Sequence, residues 1–197
     1  MSNLARKYQY PMEYRAEPKT EKIDGVIIAM APTPTLSHQR ATRSIRRIFD
    51  RYLRGKSCEV LDNLDVFLSD EHNFVPDVMI ICNKDILKEK GVFGAPDLVV
   101  EILSPSTAKN DKGRKMDIYG EFGVKEYWLV DTANRTIEVY LPDGNRLKLD
   151  NIYVDYEDWM IEKMTDERRA EIEMEFKTTL FDDLIISVKE VFEDILN

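Results

Sequence analysis

Short apolar runs dominate the hydrophobic pattern of this chain. In residues 21–30, EKIDGVIIAM, β-branched residues flank Asp24-Gly25, a dipeptide that adopts the positive φ of a tight turn, which predicts an N-terminal β-hairpin. The segments VPDVMIIC and DLVVEILS are almost unbroken apolar runs, as expected of central strands buried on both faces. The segments CEVLDNLDVFL, EYWLVDT, TIEVYLP and RLKLDNIYVD predict further strands, the first of them interrupted or bulged.

Three other segments show features of helices. Thr35 or Ser37 is placed to cap an amphipathic helix that runs to about Arg54. Further helices are predicted over residues 110–122 and, rich in charge, over about 158–176. The order of hairpin, helix, strands, helix and strands predicts an α/β (α+β) fold, in which helices flank a central mixed β-sheet.

The length of 197 residues, of which 43% are hydrophobic, suffices for one core and one domain. We expect residues 1–20 to form an N-terminal arm, residues 21–157 the core, and residues 158–197 an acidic, helical extension packed on the same domain. No apolar run approaches the roughly 20 residues of a membrane span, and the polar N-terminus does not resemble a signal peptide. A cytoplasmic protein without a membrane partner is therefore expected.

The residues available for chemistry exclude several classes of enzyme. Cys58 and Cys82 lie in apolar, strand-like segments, which is typical of buried thiols in a reducing compartment, so no disulfide is expected. Two histidines and no CxxC pattern argue against a zinc site. The chain has neither a glycine-rich phosphate loop nor a GxSxG motif, which argues against nucleotide hydrolysis of the P-loop type and against a serine hydrolase.

The net charge of −9 is unevenly distributed along the chain. From residue 155 to the end, 14 acidic and 5 basic residues give −9, so the first 154 residues, with 23 of each sign, sum to zero. A neutral body can bind a phosphate backbone where its cations gather on one face. The first helix offers such a face, although the pattern is equally typical of a solvated helix surface. Its candidate nucleic-acid-binding residues are Arg43, Arg46, Arg47 and Arg51. The charge split also suggests the hypothesis that the acidic extension covers this basic face until a substrate displaces it.

Two carboxylates stand out because each interrupts an apolar strand. An ionised Asp77 or Glu101 in such a place is costly unless a positive charge compensates for it. Mg²⁺ prefers oxygen ligands and keeps several waters, so two carboxylates from neighbouring strands and a backbone carbonyl make a sufficient site for phosphodiester hydrolysis. Taken alone, Asp77 after Pro76 is also typical of a turn or cap residue, whereas Glu101 has no basic neighbour in its segment.

Several segments together resemble one nuclease family. Two of them are VPDVMI, with Asp77, and DLVVEILSPST, whose Glu101 follows Asp77 by 24 residues. The others are Asp111, Lys115 and Tyr119, the segment GVKEYWLVDT, and the opening EKIDGVIIAMAPTPTLSH. These resemble the Uma family of restriction endonucleases, which belongs to the PD-(D/E)XK nuclease superfamily. The resemblance implies a restriction-endonuclease-like fold, hydrolysis of phosphodiester bonds in nucleic acid, with DNA favoured, and Mg²⁺ or Mn²⁺ as cofactor. A homodimer is expected because cutting both strands usually takes two active sites.

The resemblance also implies roles for individual residues. Asp77 and Glu101 correspond to the two metal-binding carboxylates, and the backbone carbonyl of Ile102 is expected as a further metal ligand. The signature position two residues after Glu101 holds Leu103 instead of lysine, and the catalytic lysine corresponds to Lys115 on the following helix. Further candidates are Glu21, His38, Asp111 and Tyr119, with Lys112 as a second candidate for the lysine.

Two observations leave alternatives open. Asp111, Lys115 and Tyr119 have the spacing i, i+4, i+8, which places them on one helix face where Asp111 can orient Lys115, but an ordinary surface ion pair has the same spacing. Leu103 at the usual lysine position supports a catalytically silent nucleic-acid-binding or regulatory protein that retains the nuclease fold. A scaffold with neither activity is a third reading.

Overall fold

The computed structural model describes residues 19–30 and 33–195, so the predicted arm over residues 1–20 lies almost entirely outside the described part of the chain. The strands are β1 (Thr20–Ile23), β2 (Val26–Ala29), β3 (Glu59–Leu61), β4 (Val66–Ser69), β5 (His72–Phe74), β6 (Val78–Ile81), β7 (Leu87–Lys88), β8 (Gly91–Phe93), β9 (Leu98–Ile102), β10 (Glu126–Asp131), β11 (Thr136–Asp143), β12 (Arg146–Val154), β13 (Glu175–Lys177) and β14 (Ile185–Ser187). The helices are α1 (Leu36–Leu53), α2 (Ala108–Asp111), α3 (Arg114–Glu121), α4 (Asp158–Glu162), α5 (Asp166–Ala170) and α6 (Val188–Phe192), with a short 3-10 helix at Lys84–Ile86.

The strands form two six-stranded sheets and one two-stranded sheet. The first sheet, with the order β2-β1-β5-β4-β8-β7, contains the predicted hairpin, whose turn residues Asp24 and Gly25 both have positive φ. The second sheet, with the order β12-β11-β10-β9-β6-β3, is mixed, because β9 and β10 are parallel and the other pairs are antiparallel. The predicted α/β fold with a central mixed sheet flanked by helices is confirmed.

Helix α1 packs its apolar face on this central sheet. The side chain of Thr35 accepts a hydrogen bond from the backbone N–H of His38, which confirms the predicted cap and fixes the first turn of the helix. Further along, Phe49 is fully buried and its ring centroid lies 5.8 Å from that of Trp128 on β10. The apolar stripe thus anchors the helix while its first turn, with His38, lies beside the ends of β6 and β9. No helix within residues 19–30 and 33–195 combines the length and apolar composition that a membrane span requires.

The predicted helix over residues 110–122 is divided in two at Gly113. This residue has φ −125° and ψ −120°, which are not helical angles, and it separates α2 from α3. A Cβ atom at this position would lie 2.8 Å from the carbonyl oxygen of Lys109, so the close approach of the backbone requires glycine. The break lets α3 take its own direction over the strands, with Lys115 in its first turn.

The C-terminal segment differs from the single charged helix predicted over residues 158–176. It contains α4 and α5 followed by β13, and the side chain of Thr165 caps α5 as a new helix. Within α4 and α5 no residue is buried, so no apolar face supports one continuous helix. In the last element, α6, the side chains of Val188, Val191 and Phe192 are fully buried in the main core.

The prediction of two free thiols was wrong, because Cys58 and Cys82 form a disulfide. Strand β3 pairs antiparallel with β6, and Glu59 lies opposite Ile81. One step further along this register brings Cys58 opposite Cys82, with 4.0 Å between their Cα atoms. The disulfide links β3, the edge strand of the central sheet, to β6 at the end of β6 that lies away from Asp77.

Candidate active site

Asp77 and Glu101 lie opposite each other on neighbouring strands. Strand β6 runs antiparallel to β9 with Val78 opposite Val100, so one further step places Asp77 opposite Glu101. Residues paired in this way project from the same side of a sheet. The Oδ2 atom of Asp77 also accepts a hydrogen bond of 2.7 Å from the backbone N–H of Ile102, which ties the start of β6 to the end of β9. The two acids therefore lie near each other where β6 begins and β9 ends, and the charge of Asp77 contributes to a raised pKa of Glu101.

Lys115 joins this pair of acids from helix α3. Its Nζ atom lies 2.9 Å from Glu101 Oε1 and 2.7 Å from Glu21 Oε1, with a longer approach of 3.6 Å to Asp111 Oδ1. Only 3% of the lysine side chain is exposed. The structure thus places a buried ammonium group against Glu101, although residue 103, the usual position for that lysine, is a leucine that packs against the apolar core.

Glu21 reaches the cluster because the N-terminal hairpin is held in place. Its Oε1 atom accepts hydrogen bonds from Lys115 Nζ and, at 3.0 Å, from the backbone N–H of Val75. At the turn of the hairpin, the guanidinium group of Arg114 donates to both carboxylate oxygens of Asp24 at 2.8 to 3.2 Å. Arg114 directly precedes Lys115, so this contact connects the hairpin to the helix that carries the lysine.

His38 contacts the other acid of the pair. Its Nε2 atom lies 3.2 Å from Asp77 Oδ2, and 15% of the histidine side chain is exposed. Burial alone would lower the pKa of His38, but the hydrogen bond to Asp77 and the charge of that carboxylate outweigh burial and raise the pKa. The Nδ1 atom is buried and has no hydrogen-bond partner among the described residues. One imidazole nitrogen thus contacts Asp77, and the other makes no hydrogen bond within the described part of the chain.

Tyr119 and Asp111 complete the predicted set. The hydroxyl group of Tyr119 donates to Glu101 Oε1 over a long 3.4 Å. Asp111 is held from two sides, because its backbone carbonyl accepts a 3.0 Å hydrogen bond from Tyr127 and its carboxylate interacts with the Thr107 side chain. Sequence analysis named neither Tyr127, which is fully buried, nor Thr107 as a supporting residue. The apolar run in EYWLVD predicts a buried strand, but it does not indicate which group the Tyr127 hydroxyl meets.

The cluster holds more negative than positive charge. Asp77, Glu101, Glu21 and Asp111 would contribute four negative charges when ionised, and Lys115 one positive charge, which leaves a net charge of −3 with neutral His38. Burial, reinforced by the neighbouring acids, raises the pKa of Glu101 well above its usual value and also raises the pKa of Asp111. Such a site retains a proton unless another cation compensates for the charge.

The donor atoms fit a hard divalent cation that keeps much of its water. Within residues 19–30 and 33–195, no three His, Cys, Asp or Glu side chains converge as a ready-made metal site. The oxygen donors available are the two opposed carboxylates of Asp77 and Glu101 and the backbone carbonyl of Ile102. Mg²⁺ is commonly bound through one or two carboxylates plus water and substrate oxygens, so this set is sufficient.

Other predicted cations lie outside the cluster. Lys112, the second candidate for the catalytic lysine, pairs with Glu138 on β11 at 2.7 Å. Arg46 pairs with Asp62 at 2.5 Å. The other three candidate arginines of α1 form a stripe at i, i+4 and i+8, and each contacts an acid near the C-terminus. We call Arg43, Arg47 and Arg51 the arginine stripe, and their respective partners Asp194, Glu193 and Glu190 the acidic cover.

A comparison with family models identifies the family of this chain. A model described as "Putative restriction endonuclease", that of Uma2, matches residues 6–173. The chain belongs to the Uma2 family. This membership confirms the resemblance inferred from the sequence, and it covers both the carboxylate pair and Lys115. The Uma2 fold and the buried cluster are thus found in the same part of the chain.

Individual proteins are similar to this chain over much of its length. An uncharacterized protein of Synechocystis sp. is 31% identical over 131 residues, which cover 65% of this chain and 68% of that protein. A second uncharacterized protein of the same organism is 28% identical over 169 residues, or 83% of this chain and 88% of that protein. The crystal structure of a "putative nuclease" from Anabaena variabilis superimposes with a TM-score of 0.70 at 19% identity, and covers 90% of this chain and 92% of that one. The structural match confirms the restriction-endonuclease-like fold.

Proposed function

We propose that this Uma2 protein is a divalent-metal-dependent endonuclease that hydrolyses phosphodiester bonds in DNA, with Mg²⁺ or Mn²⁺ as its cofactor. The observation that carries the proposal is the buried ammonium group of Lys115, shared by Glu21 and Glu101 beside the opposed acid Asp77. A purely structural ion pair needs one acid, whereas this cluster concentrates excess negative charge at one end of the central sheet. Because the chain belongs to a nuclease family, the excess negative charge is explained as a binding site for a divalent cation.

Asp77, Glu101 and the backbone carbonyl of Ile102 would hold the cation. When bound, a divalent metal ion polarises the phosphodiester and lowers the pKa of water. Lys115 holds the Glu101 carboxylate in place through its 2.9 Å contact and supplies a fixed positive charge near the phosphate as negative charge develops there. Glu21 and Asp111 in turn keep Lys115 oriented.

His38 is proposed as the group that exchanges protons with the substrate. Its Nε2 atom is held by Asp77, and its Nδ1 atom is unpaired within the described part of the chain. An imidazole oriented by a carboxylate is suited to accept a proton at one nitrogen and release it to a departing oxygen. The first turn of α1, fixed by the Thr35 cap, keeps the ring at this place.

Replacing Asp77 with asparagine, or Glu101 with glutamine, is expected to abolish saturable Mn²⁺ binding and to lower cleavage of plasmid DNA by at least about a hundredfold, since each change removes a ligand charge. Calorimetric titration measures the first quantity and gel electrophoresis the second. Asp97→Asn is the matched control, because Asp97 is a buried acid at the opposite end of β9 and pairs with Lys125. The control should bind Mn²⁺ and cleave DNA as the wild type does.

The catalytically silent alternative gives a different result in the same titration. A protein that retains only nucleic-acid binding would show salt-sensitive DNA affinity in the wild type, without saturable metal binding and without cleavage. Wild-type protein that behaves in this way would refute the proposed nuclease activity.

We also propose that the active form is a homodimer. Strand β12 is the outer strand of the central sheet, and its exposed apolar residues Leu149 and Ile152 support an interface there. Sedimentation velocity is expected to show a dimer for the wild type, and Ile152→Asp should dissociate it and slow cleavage of the second DNA strand. A monomeric wild type that cuts both strands at once would contradict this proposal.

A further inference from the structure

A row of side-chain positions crosses the outer face of the first sheet. The strand register places Ile27 opposite Lys22, Lys22 opposite Asn73, Asn73 opposite Phe67, and Phe67 beside Phe93. Because directly paired residues share one side of a sheet, these five positions form a continuous line across β2, β1, β5, β4 and β8. The line lies in a groove of about 550 Å³, and we call it the outer row.

Two aromatic rings form one end of the outer row. Phe67 and Phe93 stack with ring centroids 4.7 Å apart and an angle of 26° between their planes. Phe93 remains 47% exposed, so its ring offers a free edge and face to solvent. Exposed aromatic rings on a sheet surface are the groups on which unpaired nucleobases stack, whatever their sequence.

One lysine of the outer row, Lys22, lines the groove, and Lys19 directly precedes strand β1. The ammonium group of Lys22 donates to the backbone carbonyl of Asp70, and that of Lys19 donates to the backbone carbonyl of Asn63. Neither lysine has an ion pair with a carboxylate in the described part of the chain, in contrast to the arginine stripe. Lys22 therefore offers a positive charge to the phosphates of a nucleic acid strand in the groove, whose lining also includes the acids Glu21 and Asp70.

Strand β1 connects the groove to the candidate active site. Along this strand Glu21 is buried and contacts Lys115, while its neighbours Thr20 and Lys22 line the groove. A strand of nucleic acid bound in the groove thus lies against the same β-strand that supplies an acid to the cluster.

We propose that the outer row binds unpaired nucleobases of single-stranded nucleic acid, which rests on the proposed function in that the bound strand belongs to the substrate. The volume of the groove suits a nucleotide, since ligand sites typically enclose about 300–1,000 Å³. A second copy of the chain would be the rival occupant, and it would have to cover the unpaired ammonium group of Lys22.

The test is the affinity of Phe93→Ala for a short, fluorescently labelled pyrimidine single strand, measured by anisotropy in EDTA so that no cleavage occurs. Loss of one stacking ring is expected to weaken binding roughly 5- to 100-fold. Phe93→Trp should retain wild-type affinity, because the indole ring also stacks. Trp159→Ala is the matched control, since Trp159 is a 52% exposed aromatic residue on α4 that does not line the groove, and it should not change the affinity. An unlabelled duplex should compete more weakly than a single strand.

Equal affinity of Phe93→Ala and wild type would overturn the proposal, as would an iodouracil-substituted strand that crosslinks elsewhere than the outer row. Loss of self-association in Phe93→Ala with unchanged strand binding would assign the groove to a second copy instead. The nuclease proposal fails separately. If Asp77→Asn loses cleavage while Phe93→Ala binds the single strand normally, the nuclease proposal stands and the base-binding proposal is wrong. If binding depends on Phe93 but the wild type does not cleave DNA, the base-binding proposal stands and the nuclease proposal is wrong.

Discussion

Replacing Lys115 with methionine is expected to reduce DNA cleavage to background and to lower the free energy of unfolding by about 3–5 kcal/mol. The lysine is almost fully buried, and its Nζ atom lies within 3 Å of both Glu21 and Glu101, at 2.7 Å and 2.9 Å. Methionine keeps the apolar stem and removes the charge, so both acids stay buried without their shared cation. Urea unfolding followed by circular dichroism measures the stability, and plasmid cleavage measures the activity.

The charge of Lys115 is present throughout the pH range of such an assay. Burial opposes the charge, but the carboxylates of Glu101 and Glu21 outweigh burial and raise the pKa of Lys115 well above its usual value. A lysine whose pKa rises on folding stabilises the fold fully at every pH below its unfolded value of roughly 10.4, and this contribution is lost only as the pH rises through the folded value. The effect of Lys115→Met on stability should therefore be undiminished at pH 7 and at pH 9.

Two further variants separate the two roles of this lysine. In Glu21→Gln/Lys115→Met, one orphaned carboxylate is neutral, so part of the lost stability should return while cleavage stays at background. Lys112→Met is the matched control, because Lys112 is a half-exposed lysine whose pair with Glu138 is worth at most about 1 kcal/mol. Wild-type cleavage by Lys115→Met would exclude the lysine from catalysis, and unchanged stability would show that its ion pairs contribute nothing to the fold.

The parts of the fold that follow from local signals were predictable from the sequence. The Asp24-Gly25 turn and the Thr35 cap are decided within a few residues, and both appear in the structure as expected. The apolar runs of β6 and β9 likewise define central strands without further information. Their register, with Asp77 opposite Glu101, was suggested only by the family resemblance, because pairing between strands depends on the whole sheet.

The remaining features depend on contacts that are distant along the chain. The disulfide follows from the pairing of β3 with β6, which joins cysteines 24 residues apart. Lys115 meets Glu21 across 94 residues, so its spacing to Asp111 indicated a helix face but not burial. The partners of the arginine stripe lie 139 to 151 residues further along the chain, within α6 or just after it, in a segment that was expected only as an acidic extension. The local pattern of apolar and polar residues does not indicate which residues far apart in the chain come into contact.

Neutralising the acidic cover, in the triple variant Glu190→Gln/Glu193→Gln/Asp194→Asn, is expected to tighten DNA binding at least about tenfold at low salt. Each of the three side chains pairs with one arginine of the stripe, so the variant frees three cations that are 45–63% exposed. Three additional phosphate contacts should steepen the dependence of log affinity on log salt concentration by about three. Fluorescence anisotropy over a series of salt concentrations measures both quantities, with Asp166→Asn, an exposed acid of α5, as the control.

The packing of α6 makes the triple variant a better test than deletion of residues 158–197. Val188, Val191 and Phe192 are fully buried, and each contributes roughly 1.5–3 kcal/mol by its burial, whereas an exposed ion pair contributes at most about 1 kcal/mol. A substrate can therefore exchange places with the side chains of the acidic cover, but it cannot displace the helix at a comparable cost. Deleting residues 158–197 should unfold the protein and reveal nothing about masking. Unchanged affinity and an unchanged salt slope in the folded triple variant would show that the arginine stripe does not bind DNA.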